Sequence, residues 1–420
     1  MLNRFLLNRR GAGLAVWAIA LIGGFSAVTP ATAFEGPLTF NASDFLPNTP
    51  LNTANYTIDA TARNDGMMNH YTVSSPFGSL EAIGDDVARE RAREMNAIAE
   101  IRRIKKTEAF MTGFGAAING PLEASKTLIT KPVQTIENLG STAKEMVGNL
   151  MTSIQNFGKK ESDDSTAALK DFIGFNKAKR TLAAKLDVDP YSSNPYLQKE
   201  LGDLAWANFA GGATIDVAIS AATVGGVGAT VSAINMGAAT GGIFLTKSLT
   251  SLTTLNTKYL ADMGLLDTAA DPFLFHAKYP VPHQTLLVLA LGAMQDVPGR
   301  ADFIHLATRA TNEVQTRFYQ RTAQIMATYH QQARPVRRIL VNRGWAFFED
   351  ADGRLVLPVP ANYMAWTPGA EVMAQAFPAA PNRSMWTTGF VSPMTRTQLT
   401  SQGIGIEETI FPRRLADKVA

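Results

Sequence analysis

The sequence predicts a mainly α protein: a multi-helix body with a buried Gly/Ala-rich helical hairpin, followed by a small C-terminal α+β module. Three observations carry this expectation. Apolar residues recur at three- and four-residue spacing through much of 79–334. Residues 217–246 carry no charge and are dominated by Gly, Ala, Ser and Thr. Beyond Pro335 the pattern changes to short β-like runs separated by turn residues.

Residues 1–33 read as a cleaved signal peptide. Arg4, Arg9 and Arg10 form its positive start, Ala12 to Val28 its apolar stretch, and Ala31-Thr32-Ala33 an A-x-A cleavage site, so that Phe34 becomes the first residue. Gly11, Ala12 and Gly13 follow the arginine pair where the twin-arginine route favours bulky apolar residues, so ordinary export to the periplasm or cell envelope is expected.

Residues 34–78 are rich in Asn, Thr, Pro and Ser and read as an extended arm with one or two short strands, such as His70 to Val73. The helical body spans 79–334, with an internal break near 158–166 at Lys159 to Ser165. Its first helix opens at Gly84-Asp85-Asp86 and closes at Arg102, Arg103, Lys105 and Lys106, a polarity that suits the helix dipole. Val87, Met95, Ile98, Ile101 and Ile104 form its apolar stripe, and the charges between them read as a solvated face. A second helix is expected from Ile136 to Phe157 and a third from about Ala167 to Leu186. Asp187 to Pro195 is a loop whose Asn194 caps the next helix, with Pro195 at its first position.

In 217–246, Ala221, Gly225, Ala229, Ala233, Gly237 and Gly241 fall at every fourth residue and form a small-residue packing stripe. Further on, Thr285 to Met294 reads as a buried helix core. Phe303, Ala307, Ala310, Val314, Phe318, Ile325 and Tyr329 read as one long helix that Pro335 ends. In the module 336–420, strands are expected at Ile339–Val341, Trp345–Phe348, Leu355–Val359, Met385–Val391 and Ile404–Ile410. Ser392 and Pro393 start a helix that Gly403 ends.

The chain of 420 residues suggests about two to three domains. It has no Cys, which removes disulfides, thiolate catalysis and Cys-held metals. The formal charge of +3 belongs to the leader: without its three arginines, 36 basic residues face 36 acidic ones. A protein that neutralises several phosphates carries a surplus of Lys and Arg, so no nucleic acid partner is expected.

No motif assigns a catalytic residue. Gly225-Gly226-Val227-Gly228 lacks the Lys-Ser/Thr of a phosphate loop and the third Gly of a dinucleotide fingerprint, so no nucleotide cofactor is expected. His276 and His283 flank Pro280-Val281-Pro282 and form the best-placed pair for a metal. No third ligand stands at diagnostic spacing, so structural histidines and no metal are the expectation. His305 and His330, on one helix, would stand about 40 Å apart. Arg309, Glu313, Arg317 and Arg321 read as a ladder of surface ion pairs, with an anion-binding face as the sharper alternative. The function expected is that of an exported bacterial-type envelope protein, a non-catalytic binding or scaffolding protein whose partner is an envelope protein or a membrane surface. The alternatives are a periplasmic hydrolase with dispersed site residues and a protein that inserts 217–246 into a membrane.

Overall fold

The structure, a computed structural model, describes residues 34–119, 163–210 and 247–410. Contacts divide the chain into two units, Met1–Phe34 and Glu35–Ala420, and every described element belongs to the second.

The mainly α expectation is overturned. The described residues form twelve α-helices and also twelve strands in three sheets, a mixed α/β fold. The first sheet occupies the region read as an extended arm. Its strands are β1 (Leu38–Asn41), β2 (Thr57–Ile58), β3 (Thr61–Asn64), β4 (Asn69–Ser75) and β5 (Gly78–Ile83). All pairings are antiparallel: β5 runs along the whole of β4, while β3 and β2 share its other edge and β1 extends β3. The strands alternate in burial, but their buried positions hold Ile58, Ala62, Asn64, Asn69, Tyr71, Val73 and Ala82. Small and polar residues at core positions give no apolar period to read.

After α1 (Ala42–Phe45), α2 (Asp85–Ile104) buries the predicted stripe of Val87, Met95, Ile98, Ile101 and Ile104. Next come α3 (Glu108–Asn119), α4 (Asp163–Lys185) and α5 (Pro195–Ala210). Asn194 Oδ1 accepts from the backbone N–H of Tyr196 at 2.9 Å and of Leu197 at 3.2 Å, so the predicted cap forms. α4 and α5 are an antiparallel hairpin: Lys179 bonds to Gln198 near the turn, and Phe175 packs on Trp206 further along.

The second half contains α6 (Leu249–Asp262), α7 (Asp271–Leu274), α8 (Val281–Gly292), α9 (Arg300–Ala307) and α10 (Glu313–Gln332). The long helix expected through Phe303 and Tyr329 is therefore two helices. Asn312 interrupts it, its side chain accepting from Gln315 N at 2.9 Å to start α10 afresh. His305 and His330 consequently sit on different helices.

The C-terminal elements are β6 (Val336–Asn342), β7 (Trp345–Asp350), β8 (Leu355–Val359), β9 (Tyr363–Met364), α11 (Pro368–Gln375), β10 (Arg383–Thr387), β11 (Phe390–Val391), α12 (Pro393–Ser401) and β12 (Ile404–Glu407). β9 and β11 pair separately. The other five strands form a sheet in the order β12-β10-β8-β7-β6, antiparallel from β6 to β8 and parallel from β8 to β12. Its two faces bury different residues. Val336, Ile339, Phe348, Val356 and Trp386 join the core of α6 to α10, while Phe347, Leu357, Met373, Met385 and Leu399 form a second core with α11 and α12. Burial of both faces explains why β8 is buried at all five positions.

The N-terminal sheet closes onto this module. Asn362 N donates to Met67 O at 2.9 Å, Ala365 N to Gly66 O at 3.0 Å, and Asn64 Nδ2 to Tyr363 O at 3.1 Å. Glu35 N donates to Trp366 O, and the Glu35 carboxylate accepts from Trp366 N and Ser392 Oγ. Gly66 has φ of +106°, and a Cβ there would stand 2.8 Å from Thr367 Cγ2, so both backbone shape and space call for glycine.

Candidate functional site

The largest concentration of buried charge lies between α2 and α10. On α2, Asp86, Glu90 and Glu94 are spaced by four residues, as are Glu313, Arg317 and Arg321 on α10, so each set lines one helix face. The two sets meet in antiparallel register. Arg321 pairs with Asp86, and Arg317 grips Glu90 through Nη1 at 2.9 Å and Nη2 at 3.2 Å. Arg317 Nε also holds Glu313 Oε1 at 2.9 Å. The Arg317 side chain is only 12% exposed and that of Glu90 17%.

The loop 187–194 closes one end of this seam. Ser192 Oγ donates to Glu94, Asn194 Nδ2 donates to Glu94 Oε2 at 2.9 Å, and Arg91 Nη1 reaches the same carboxylate at 2.7 Å. Arg91 Nη2 also donates to Ser193 Oγ at 2.6 Å. On the other side, His283 of α8 donates from Nδ1 to Gln320 Oε1 at 2.5 Å, which leaves the lone pair on Nε2.

The electrostatics divide by partner. Burial would raise the Glu90 carboxyl, but the Arg317 and Arg91 guanidiniums outweigh it and hold Glu90 below the ordinary range. Burial wins at Glu94, which is raised despite Arg91, and at Asp189, which is raised to about 6. Burial, reinforced by Arg317, lowers His283 and favours its neutral form. Burial also lowers Arg321 to about 10, against the pull of Asp85. Lys179 falls to about 8 for the same reason, opposed by Asp189.

A second polar cluster sits beside the start of α2. Tyr71 OH donates to Asp85 Oδ1 at 2.6 Å, and Asn69 Nδ2 reaches the same oxygen at 3.0 Å. Asn64 Nδ2 in turn donates to Asn69 Oδ1 at 2.9 Å. On the outer side of the sheet, His70 lies between Asp65 and Glu81, 2.9 Å from each.

The residues singled out by sequence are thus differently placed. His276 accepts from Lys278 N on Nδ1 and donates from Nε2 to Thr308 O at 3.1 Å, a structural role. His283 joins the seam instead, and the structure shows no metal centre formed by the pair. Among the described residues, no group of three or more His, Cys, Asp or Glu is placed to hold a metal ion. Of the predicted surface ladder, Glu313, Arg317 and Arg321 form the α10 side of the seam, while Arg309 falls before that helix. Arg317 and Arg321 are therefore interhelical contacts, because Glu90 and Asp86 of α2 stand at the same spacing. Asp86, Glu90 and Glu94 are thus partnered rather than part of the expected solvated face, and their four-residue spacing is the signal in the sequence. The stripe Ala221, Gly225, Ala229, Ala233, Gly237 and Gly241 lies outside the described residues, as does the helix expected from Ile136 to Phe157.

No protein-family model, curated protein or solved structure matches the chain.

Proposed function

We propose that this is an exported envelope protein that binds or scaffolds a partner, either another envelope protein or a membrane surface. The tripartite leader supports export. The carrying observation for a scaffold is the α2–α10 seam. Its carboxylates and guanidiniums are matched to one another across segments more than 200 residues apart, so that Glu90 and Arg317 fasten two halves of the molecule together. Bidentate Arg–carboxylate pairing fixes relative orientation as well as distance.

The test combines fractionation with turnover. The periplasmic protein is expected to begin at Phe34 by intact mass and to leave generic ester, phosphoester and peptide substrates uncleaved. Retention of Met1 in the cytoplasm would sink the export reading. Turnover abolished by His283→Ala would replace the scaffold with the hydrolase.

A membrane-directed reading draws on one further observation. Because α4 and α5 are antiparallel, Asp163 and Ala210 stand at the same end of the hairpin. No helix among the described residues is long and apolar enough to cross a membrane. Envelope protein that resists carbonate extraction, and is released once Gly225 and Gly237 are changed to Asp, would favour insertion of the uncharged segment.

A further inference from the structure

Glu35 is tied to the C-terminal module by its backbone and by its side chain. Its N–H donates to Trp366 O at 2.8 Å, and its carboxylate accepts in return from Trp366 N. The same carboxylate oxygen accepts from Ser392 Oγ. Ser392 is fully buried and caps α12, its Oγ accepting from Thr395 N at 2.9 Å, and its one hydroxyl hydrogen goes to Glu35. Trp366 is buried as well, so Glu35 grips two core residues, one after β9 and one before α12. The first residues of a domain are usually poorly ordered unless something ties them down. Here the tie engages both the main chain and the carboxylate of a single residue.

The expected cleavage bond, Ala33–Phe34, lies one residue upstream. At roughly 3.3–3.6 Å per residue, no more than about 7 Å of chain separates that bond from the Glu35 tie. A peptidase holds its substrate extended, through backbone groups on both sides of the bond it cuts, as other partners hold an added strand. The Glu35 N–H and carboxylate cannot serve Trp366 and Ser392 and also enter a peptidase cleft. Docking and cleavage therefore compete for the same residue, and cutting a docked chain requires the tie to open first.

We propose that the Glu35 tie is a processing lock: once closed on Trp366 and Ser392, it withdraws the Ala33–Phe34 bond from the leader peptidase, so the leader is removed before Glu35 docks. This lock rests on the export reading. A chain that folds with its leader still attached keeps it.

The test uses the full-length precursor, made without export and purified folded, with a bacterial-type leader peptidase and cleavage read by intact mass. The same precursor, held unfolded in urea that the peptidase tolerates, is the reference. The folded precursor should be cut about tenfold or more slowly than the unfolded one, and Glu35→Ala should recover about tenfold in rate while circular dichroism still shows a folded protein. Glu35→Gln keeps an oxygen that can accept from Trp366 N and Ser392 Oγ, and should retain most of the protection. Asp44→Ala removes an exposed acid nearby in sequence and should leave the folded precursor resistant. Ser392→Ala should act as Glu35→Ala does; if it does not fold, Glu35→Ala carries the test. Equal cleavage of folded and unfolded precursor would overturn the lock, as would a Glu35→Ala precursor cut no faster than the unmodified one. Failure to cut even the unfolded chain after Ala33 would instead sink the export reading, and the lock with it.

Discussion

The N-terminal sheet, β1 to β5, and the C-terminal sheet, β6 to β8 with β10 and β12, each have five strands, but they fill their cores differently. The C-terminal sheet buries Phe347, Phe348, Leu355, Val356, Leu357, Val359, Met385 and Trp386, with helices on both faces. The N-terminal sheet buries Asn64, Asn69 and Tyr71 among Ile58, Ala62, Val73 and Ala82, and ties the polar ones to Asp85 by hydrogen bonds. Apolar burial is non-directional and tolerates small shifts. A buried amide requires its own partner, and losing one exposes the desolvation cost of the other. One sheet is therefore held by volume and the other by connectivity.

Mutation can break this distinction at either sheet. The largest effect is expected from Phe348→Ala, which removes a fully buried ring packed against Tyr329 and Trp386 at centroid distances of 5.0 and 5.7 Å. Urea unfolding should show a loss of about 3–5 kcal/mol. A loss below about 1 kcal/mol would mean that the C-terminal sheet does not rely on filled volume.

Asn69→Ala should cost about 1–3 kcal/mol, because it withdraws a donor from Asp85 and an acceptor from Asn64. Its distinguishing mark is coupling. In a double-mutant cycle with Asn64→Ala, an interaction energy of about 0.5 kcal/mol or more is expected. Strict additivity would remove the case for a connected network.

The smallest effect concerns His70. Burial lowers its pKa, but hydrogen bonds and charge from Asp65 and Glu81 more than offset this, and the net shift is upward from 6.5. Both ring nitrogens can donate to carboxylates only when the imidazole is protonated. The contribution is thus complete below pH 6.5 and is lost as pH rises through the folded-state pKa. His70→Gln should cost about 0.5–1 kcal/mol at pH 5 and close to nothing at pH 9, since the carboxylate partners are exposed. An equal loss at both pH values would show that the ring acts by packing.

The same contrast decides what could be read from the chain alone. Leu355 to Val359 is a strand because continuous apolar residues announce one buried on both faces. The run expected from Met385 to Val391, by contrast, divides between β10 and β11 in different sheets, and the one from Ile404 ends at Glu407. Ser392 and Asn194 cap as their residue types suggest. Of the N-terminal strands only β4 is legible, at His70 to Val73, because Asn64 and Asn69 occupy core positions that a hydrophobic count treats as loop. The break between α9 and α10 was hidden for another reason: apolar residues keep their spacing across Thr308 to Asn312, and only the Asn312 cap marks a new start. The seam needed a comparison of two distant segments. Neither α2, with five acidic and five basic residues, nor α10 shows by itself that its charges are to be covered, and only the four-residue spacing shared by Asp86 and Glu90 with Arg317 and Arg321 points to the pairing.

The closure of the N-terminal sheet on residues 362–366 has a consequence in time. Asn69 N waits for the side chain of Asn362, 293 residues later, and Glu35 for the backbone of Trp366, 331 residues later. At roughly 5–20 residues per second, a ribosome takes about 15–60 seconds to cover the shorter of these intervals. Through that delay the first sheet to be synthesised lacks its last hydrogen-bonding partners, and its polar core stays open to water. Such long-range contacts are slow to form even in a finished chain. The N-terminal sheet, the first to be synthesised, is therefore complete only after residues 362–366 have been made.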